Sequence, residues 1–233
     1  MMQISILSQI LDLLMPRACG ICGNRLTVTE ESICAACNLH LPRTNMAENP
    51  EDNDMARMFW GIIPIEKAAA WFNFEPHSQA ARPIYSMKYN ARPETGECLG
   101  RMFAEEIVQS GFFEGIDLIV PIPLAHKRER QRGYNQSMMI ARGIHEVTDI
   151  RIEPKAVKRT MFEVSQTRKN WWERRENVDN VFKLVRPESV SGKHLLLVDD
   201  IMTTGATLTA CARELLKAGD VKISVLTLGL TKS

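Results

Sequence analysis

The segment 195–208, LLLVDDIMTTGATL, contains the side chains best suited to chemistry in this sequence. Its hydrophobic run ends in two carboxylates, Asp199 and Asp200, and small and hydroxyl residues follow. Backbone N–H groups at such a turn, with the N-terminus of a following helix, can enclose a phosphate. The carboxylates would repel a phosphate, so they suit ribose hydroxyls or the Mg²⁺ of a chelated ligand. The phosphate of such a sugar is expected on Thr203, Thr204, Gly205, Ala206 and Thr207.

Two other interpretations of this segment fit it less well. The phosphate loop of nucleotide triphosphatases has the pattern Gly-x-x-x-x-Gly-Lys-Ser/Thr and lacks the leading carboxylates. An acidic strand end before a capped helix also occurs in receiver domains, where a lone loop Thr is expected. The run Thr-Thr-Gly-Ala-Thr at 203–207 therefore favours a phosphate site.

Four of the six cysteines form two Cys-x-x-Cys pairs, Cys19 with Cys22 and Cys34 with Cys37. Four thiolates satisfy the tetrahedral preference of zinc and leave no open coordination position, so a structural Zn²⁺ site is predicted. An iron–sulfur cluster and four unrelated reduced thiols are the alternatives. Without a secretion signal, disulfides are not expected.

The surrounding pattern indicates which elements must position these groups. Apolar runs predict strands near residues 67–74, 117–120, 193–198 and 221–228, and helical spacing predicts helices near 84–88, 98–110, 137–147 and 205–218. An Arg-rich loop is predicted after Pro123. Strands that alternate with helices favour an α/β fold with a parallel sheet flanked by helices.

The chain is expected to divide into three parts. Residues 1–45 would hold an amphipathic N-terminal helix and the cysteine ribbon, 46–77 a linker and an accessory strand, and 78–233 the α/β domain. The helix is expected to dock on its own protein or to bind a partner or a membrane surface. No apolar run reaches the roughly 18 residues that span a bilayer, so a cytoplasmic protein without stable membrane insertion is expected. The formal net charge of +1 implies no global attraction to nucleic acid.

Taken together, these motifs resemble the ComF family, the zinc-ribbon-bearing, phosphoribosyltransferase-like proteins linked to DNA uptake in natural competence. The segment 198–207 alone looks like the phosphoribosyl-diphosphate (PRPP) signature of type I phosphoribosyltransferases. The wider resemblance covers nearly all residues from 15 to 230. It rests on the four cysteines, Met87-Lys88-Tyr89, Val120-Pro121-Ile122-Pro123-Leu124, Arg132-Gly133-Tyr134-Asn135-Gln136, Arg159-Thr160, Gln166, Arg175-Glu176-Asn177 and the signature segment.

The resemblance implies a role for several further residues. Asp199, Asp200 and Arg159 would be catalytic, and Mg²⁺ would accompany PRPP. The segment after the second predicted strand would bind pyrophosphate through Pro123, Leu124, Arg128, Arg132 and Gly133. The alternative for that segment is a solvated charged turn. A flexible catalytic loop would contribute Arg159, Thr160, Gln166 and Arg175.

Two functions remain open at this point. The chain is expected either to transfer a phosphoribosyl group to an unknown acceptor, or to act as a non-catalytic adaptor. The adaptor would bind single-stranded DNA or a competence helicase. No segment resembles a purine or pyrimidine hood, and amide or ammonia transfer would need a glutaminase domain that the sequence lacks.

Overall fold

A computed structural model describes residues 17–89, 92–160 and 181–231 of the 233-residue chain. Within these ranges the α-helices are α1 (Ala35–Leu39), α2 (Asp54–Arg57), α3 (Arg82–Tyr89), α4 (Pro93–Ile107), α5 (His126–Arg132), α6 (Gln136–Thr148), α7 (Pro187–Val190) and α8 (Ala206–Leu216). The strands are β1 (Ala68–Phe74), β2 (Leu118–Pro121), β3 (Arg151–Ile152), β4 (Val157–Arg159), β5 (Phe182–Leu184), β6 (His194–Met202) and β7 (Lys222–Thr231). Short 3-10 helices cover Met46–Glu48, Gln79–Ala81 and Val108–Ser110.

Five strands form one parallel sheet in the order β1-β7-β6-β2-β3. The central strand β6 buries its apolar run completely, and its side chains alternate between the two faces of the sheet. Leu196 and Val198 accordingly join one hydrophobic core, and Leu195 and Leu197 join the other. Both faces are covered, as expected of a parallel sheet, and the predicted α/β fold is confirmed.

Helices α4 and α6 cover one face of the sheet and α8 covers the other. The first two approach each other so closely that only glycine fits at position 143. A Cβ atom there would lie 2.0 Å from the carbonyl oxygen of Glu97, which is backbone and cannot swing away. This contact fixes α6, and with it the residues at the N-terminus of that helix.

The cysteine ribbon packs directly on the sheet domain. Its apolar side chains Ile21 and Ile33 belong to the same buried core as Ile84 of α3. The guanidinium of Arg82 donates a hydrogen bond of 2.8 Å to the carbonyl oxygen of Ile21. The ribbon therefore contributes to the main core. Residues 1–16, where the amphipathic helix is predicted, lie outside the described residues.

Strand β1, predicted as an accessory strand, pairs in parallel with β7 at the edge of the main sheet. Strands β4 and β5 form a separate antiparallel ribbon. Residues 161–180 connect them and lie outside the described residues, together with the predicted loop residues Gln166 and Arg175. Among the described residues, no helix is both long and apolar enough to cross a membrane.

The Arg-rich segment after β2 differs from its prediction. The sequence predicts a loop there, but His126–Arg132 form the helix α5. Apart from His126, its residues are Lys, Arg, Glu and Gln, which are good helix formers. Gly133 ends the helix with a φ of 80°, and its N–H donates to the carbonyl oxygen of Glu129 at 2.7 Å. The cations are thus presented on a short helix.

Candidate functional site

The predicted phosphate segment lies where β6 ends and α8 begins. A small cavity there has a volume of about 40 Å³. It is lined by Asp199, Ile201, Met202, Thr203, Thr204, Gly205, Ala206, Thr207 and Leu208. This volume has room for two or three water-sized groups, which suits the oxygens of one phosphate. The structure therefore brings together one of the predicted carboxylates and all five predicted phosphate-binding residues.

Gly205 permits the sharp entry into α8. Its φ of 74° lies in the left-handed region, and it precedes the first helical residue. A Cβ atom at this position would lie 2.9 Å from Cε of Met202 and 3.5 Å from the ring of Phe59. Phe59 is fully buried and so supports the loop from beneath. The backbone conformation therefore favours glycine here, whereas the end of the Met202 side chain would have to shift to admit a Cβ atom.

Asp199 is held by two hydrogen bonds to one carboxylate oxygen. The hydroxyl of Ser137 donates to Oδ1 at 2.9 Å, and the backbone N–H of Asp200 donates to the same atom at 2.9 Å. Burial raises the pKa of Asp199 to about 7, and the negative charge of Asp200 adds to this shift. The carboxylate is therefore poised to accept a cation or hydrogen-bond donors from a ligand.

Ser137 is itself positioned by Asn135, which also contacts the end of the neighbouring strand β2. The side chain of Asn135 caps α6 by accepting a hydrogen bond of 3.1 Å from the N–H of Ser137. The Asn135 amide also donates to the carbonyl oxygen of Ile122, one residue beyond β2, at 3.0 Å. This chain of contacts links the ends of β2 and β6 through the first turn of α6.

Asp200 forms an ion pair with Lys88 at the end of α3. The Nζ atom lies 3.0 Å from Oδ2, and the side chains of Lys88 and Asp200 are only 17% and 14% exposed. The end of α3 is also tied to the loop before α6, because the hydroxyl of Tyr134 donates to the carbonyl oxygen of Met87 at 2.5 Å. Lys88 thus reaches the carboxylate pair from a different element than Ser137 does.

The predicted cationic residues come from two further elements. Arg159 lies on β4, and its guanidinium stacks over the ring of Phe182 at 5.3 Å. Burial lowers the pKa of Arg159, as does the charge of Arg128, whereas Asp199 raises it. Arg128, Arg159 and Asp199 are therefore close enough to interact electrostatically. The neighbouring Thr160 donates its backbone N–H to the carbonyl oxygen of Val181.

A second cavity of about 260 Å³ separates β4 from the segment after β2. Its lining includes the predicted residues Pro123, Leu124 and Arg159, together with His126 and Lys158. Arg132 does not line it; its guanidinium donates to Oε1 of Gln136 at 2.7 Å. Of the five predicted pyrophosphate residues, Pro123 and Leu124 thus line this cavity together with Arg159, whereas Arg128, Arg132 and Gly133 do not.

Sequence reasoning missed three polar side chains of the site, Lys88, Ser137 and Asn135. Lys88 and Ser137 contact acidic residues that are distant in sequence, and Asn135 contacts the residue that follows β2. Ser137 and Asp199, for example, are 62 positions apart. The sequence did offer one signal for these side chains, because each lies in or beside a motif that supports the family resemblance. Lys88 lies in Met87-Lys88-Tyr89, and Asn135 lies in Arg132-Gly133-Tyr134-Asn135-Gln136.

The four ribbon cysteines converge as predicted. Their Sγ atoms all lie within 4.8 Å of one another, and those of Cys22 and Cys34 are 3.9 Å apart. Zinc–sulfur bonds of about 2.3 Å in a tetrahedron place the sulfurs about 3.8 Å apart, so Cys19, Cys22, Cys34 and Cys37 fit such a metal. Burial opposes ionisation of Cys19, but hydrogen bonds from the N–H groups of Cys22, Cys34 and Ile21 outweigh it and lower its pKa to about 7.

Comparisons with known proteins agree with this architecture. The model of the phosphoribosyl transferase domain matches residues 144–229, which include β4, β6, the phosphate segment and α8. Competence protein F of Haemophilus influenzae is 34% identical over 208 residues, covering 89% of this chain and 82% of that protein. The chain belongs to the ComF family.

Other proteins extend the ComF likeness. DNA utilization protein YhgH of Escherichia coli (strain K12) is 28% identical over 215 residues, covering 89% of this chain and 87% of that protein. Competence protein ComFC of Bacillus subtilis (strain 168) is 33% identical over 105 residues, or 44% of this chain and 39% of that protein. The ComF-family chain is thus a phosphoribosyltransferase-like protein similar to proteins named for competence and DNA utilization.

Solved structures resemble the ComF-family chain more distantly. A glutamine PRPP amidotransferase from B. subtilis is 21% identical with a TM-score of 0.41, covering 60% of this chain and 30% of that chain. An adenine phosphoribosyltransferase is 14% identical with a TM-score of 0.38, covering 60% of this chain and 74% of that chain. These low scores carry no conclusion about the ligand.

Proposed function

We propose that this protein binds PRPP together with Mg²⁺ and transfers its phosphoribosyl group to an acceptor. The observation that carries the proposal is the cavity at the end of β6, where one carboxylate and the loop 203–207 line a single phosphate-sized space. A ligand that combines a phosphate with a ribose diol matches both halves of this arrangement.

The 5′-phosphate of PRPP would rest on the loop 203–207 and the N-terminus of α8. The ribose hydroxyls would donate to Asp199 and Asp200. Carboxylate oxygens are also ligands that Mg²⁺ prefers, so the same pair fits the metal that accompanies PRPP. When bound, Mg²⁺ would neutralise charge on the pyrophosphate. Lys88, which now pairs with Asp200, would exchange that contact for an interaction with the ligand.

The pyrophosphate would lie over the segment from Pro123 to Gly133. Arg128 and Arg159 supply guanidinium groups there, and guanidinium binds phosphate oxygens bidentately. The mutual electrostatic influence of Arg128 and Arg159 supports this assignment, because two cations brought close together in the free protein favour a dianionic ligand between them. Arg132 would border the same group from the end of α5.

Transfer follows from this placement. A nucleophile of the acceptor forms a bond to the anomeric carbon, while the bond from that carbon to pyrophosphate breaks and its electron pair leaves with pyrophosphate. Asp199 and Asp200 would stabilise the positive charge that develops on the ribosyl centre. The flexible loop that the family resemblance implies, with Gln166 and Arg175, lies outside the described residues.

A competition experiment tests the two-part site. Both ribose 5-phosphate and pyrophosphate should displace PRPP, because each occupies one half of it. If pyrophosphate fails to displace PRPP at concentrations where ribose 5-phosphate succeeds, the assignment of the Pro123–Gly133 segment is wrong. If neither competes, PRPP does not bind at this site.

The cysteine cluster would hold a structural Zn²⁺ in the same protein. Its four ligands leave no position for a substrate, so the metal would stabilise the ribbon and take no part in transfer. Reduced thiols are needed for this role, which is consistent with a cytoplasmic location.

The second candidate is a non-catalytic adaptor. The names of the similar proteins, which refer to competence and DNA utilization, favour a link to DNA. The protein would then bind single-stranded DNA or a competence helicase through its basic surfaces. Salt-sensitive binding of single strands that neither PRPP nor pyrophosphate displaces would favour this function over the first.

A further inference from the structure

Phe182, on β5, lies directly opposite Arg159 of β4 in the antiparallel ribbon. The ring of Phe182 is only 3% exposed, and the guanidinium of Arg159 stacks over it, 5.3 Å from the ring centroid. Among the described residues, this guanidinium has no hydrogen bond and no ion pair. The aromatic face is therefore the contact by which the described part of the chain orients the cation.

Backbone hydrogen bonds hold the two strands in this register. The N–H of Thr160 donates to the carbonyl oxygen of Val181 at 2.8 Å, and the N–H of Val185 donates to the carbonyl oxygen of Ala156 at 2.8 Å. These bonds lie on either side of the stacked pair, so the ribbon cannot slip by one residue without losing them. The ring and the guanidinium therefore stay on the same face of the ribbon.

The ribbon is anchored on α8, the helix that begins at the phosphate loop. The ring of Phe182 belongs to the same buried core as Leu208 and Cys211 of that helix. Glu214, a buried residue of α8, accepts a hydrogen bond of 3.4 Å from the N–H of Leu184 through its carboxylate. The ring is therefore held by the core of the domain, and its position does not depend on the ribbon alone.

The stacked guanidinium is influenced by charges of both signs. Burial lowers the pKa of Arg159, the charge of Arg128 lowers it further, and Asp199 raises it. Arg159 also lines the cavity of about 260 Å³ that Pro123 and Leu124 of the proposed pyrophosphate segment border. A partly buried cation that a second cation repels is favourably placed to bind an anion.

We infer that Phe182 is a positioning residue, whose ring holds the guanidinium of Arg159 in the orientation that binds the pyrophosphate of PRPP. This inference rests on the proposed function and adds a residue to the pyrophosphate half of the site. Because Phe182 is buried, it acts only through Arg159. An arginine that is already held in place loses less conformational freedom on binding, which typically improves affinity about two- to tenfold.

Pyrophosphate is the probe for this inference, because it occupies only the half of the site that contains Arg159. Phe182→Leu keeps an apolar side chain but removes the aromatic face. We expect this variant to bind pyrophosphate in the presence of Mg²⁺ about two- to tenfold more weakly in calorimetry, and ribose 5-phosphate with unchanged affinity. Phe182→Met, a second variant without a ring, should behave in the same way, whereas Phe182→Tyr should restore pyrophosphate affinity.

Phe113→Leu is the matched control for the loss of buried aromatic packing. Phe113 is 8% exposed, packs its ring against Phe112, and has no guanidinium or ammonium group stacked on it among the described residues. It precedes β2, at the edge of the parallel sheet opposite the phosphate loop. The control variant should be less stable than the parent protein and should bind pyrophosphate with the parent affinity.

A double-mutant cycle with Arg159→Ala separates positioning from a general structural role. Phe182→Leu should cause no further loss of pyrophosphate affinity once the guanidinium is absent. If Phe182→Leu weakens binding equally in both backgrounds, or leaves it unchanged in the parent protein, the inference is wrong and the proposed function stands. If Arg159→Ala retains the parent affinity, or the parent protein does not bind pyrophosphate, the proposed pyrophosphate site fails together with the inference.

Discussion

Ser137, in the first turn of α6, donates its hydroxyl to Oδ1 of Asp199 at 2.9 Å. This hydrogen bond connects α6, which follows β2 in the chain, to a carboxylate in the C-terminal part of β6. It compensates only part of the cost of burying that charge, since the pKa of Asp199 is still raised to about 7. The charged carboxylate therefore lowers the stability of the ligand-free protein, as expected of a group whose role is to bind a ligand.

The pH dependence of stability should reveal that cost. Because the folded protein raises the pKa of Asp199 from 3.8 to about 7, it binds this proton more tightly than the unfolded chain does. The stabilising proton is fully present below about pH 4 and is lost as the pH rises through 7. We expect Asp199→Asn to increase the free energy of unfolding at pH 8 by about 1–3 kcal/mol, with no gain near pH 4.

Chemical denaturation of both proteins at the two pH values measures this difference. Asp220→Asn is a suitable control, because Asp220 is an exposed acid in the turn before β7, and its variant should show little pH-dependent difference. Equal stability of Asp199→Asn and the parent protein at pH 8 would contradict the proposed burial of this charge.

Asp200 should contribute directly to ligand affinity. Replacing it with Asn removes a charge but keeps the shape, so the ribose or its metal loses a charged partner. A hydrogen bond to a charged group contributes about 1.5–3 kcal/mol, so Asp200→Asn should weaken PRPP binding roughly 10- to 100-fold. Calorimetry with Asp220→Asn as the control checks this. An unchanged affinity in Asp200→Asn would refute the assignment of the β6 end as the PRPP site.

Glycine at position 205 should be required for binding as well as for folding. Gly205→Ala introduces both a strained φ and a contact of 2.9 Å with Met202, so we expect a loss of about 1–2 kcal/mol in stability and a marked loss of PRPP affinity. Gly219 has a similar φ of 82°, but a Cβ added there would meet no described atom within 4 Å, so it isolates backbone strain. Gly219→Ala should lower stability and retain affinity; an equal loss of affinity in both variants would count against a local role of the loop.

The cysteine cluster should stabilise the whole domain. Cys22→Ser should lose bound zinc and lower the midpoint of thermal unfolding by about 5 °C or more, roughly 2 kcal/mol for a chain of this size. The reason is that the ribbon residues Ile21 and Ile33 belong to the main core. Cys98→Ala, at a buried cysteine outside the cluster, should retain the metal. Zinc content by mass spectrometry provides the test, and full zinc content in Cys22→Ser would contradict the four-cysteine site.

Local sequence patterns are enough to predict the parts of the fold whose physics is local. The apolar run Leu195–Val198 predicts a strand buried on both faces, and the spacing of Cys19 and Cys22 predicts a metal-binding turn. The helix α5 escapes this kind of prediction when its charges are interpreted as a loop, although helix-forming residues followed by Gly133 are a recognisable signal.

Contacts between distant residues could not be predicted in the same way. Nothing near Lys88 in the sequence indicates that its ammonium group will pair with Asp200, because that contact depends on where α3 ends relative to β6. The Ser137–Asp199 hydrogen bond likewise depends on the order of β2 and β6 in the sheet. Most strands of the main sheet and the helices that cover it were thus predictable, whereas α5 was not, and the juxtaposition of the elements required the fold.

The most direct test of the proposed function is a calorimetric titration of PRPP into the zinc-loaded protein, with and without Mg²⁺. We predict saturable binding of one PRPP per chain that is stronger with Mg²⁺, because the metal completes the charge balance between the carboxylate pair and the pyrophosphate. The absence of binding at millimolar PRPP in the presence of Mg²⁺ would contradict the proposal and favour the adaptor function.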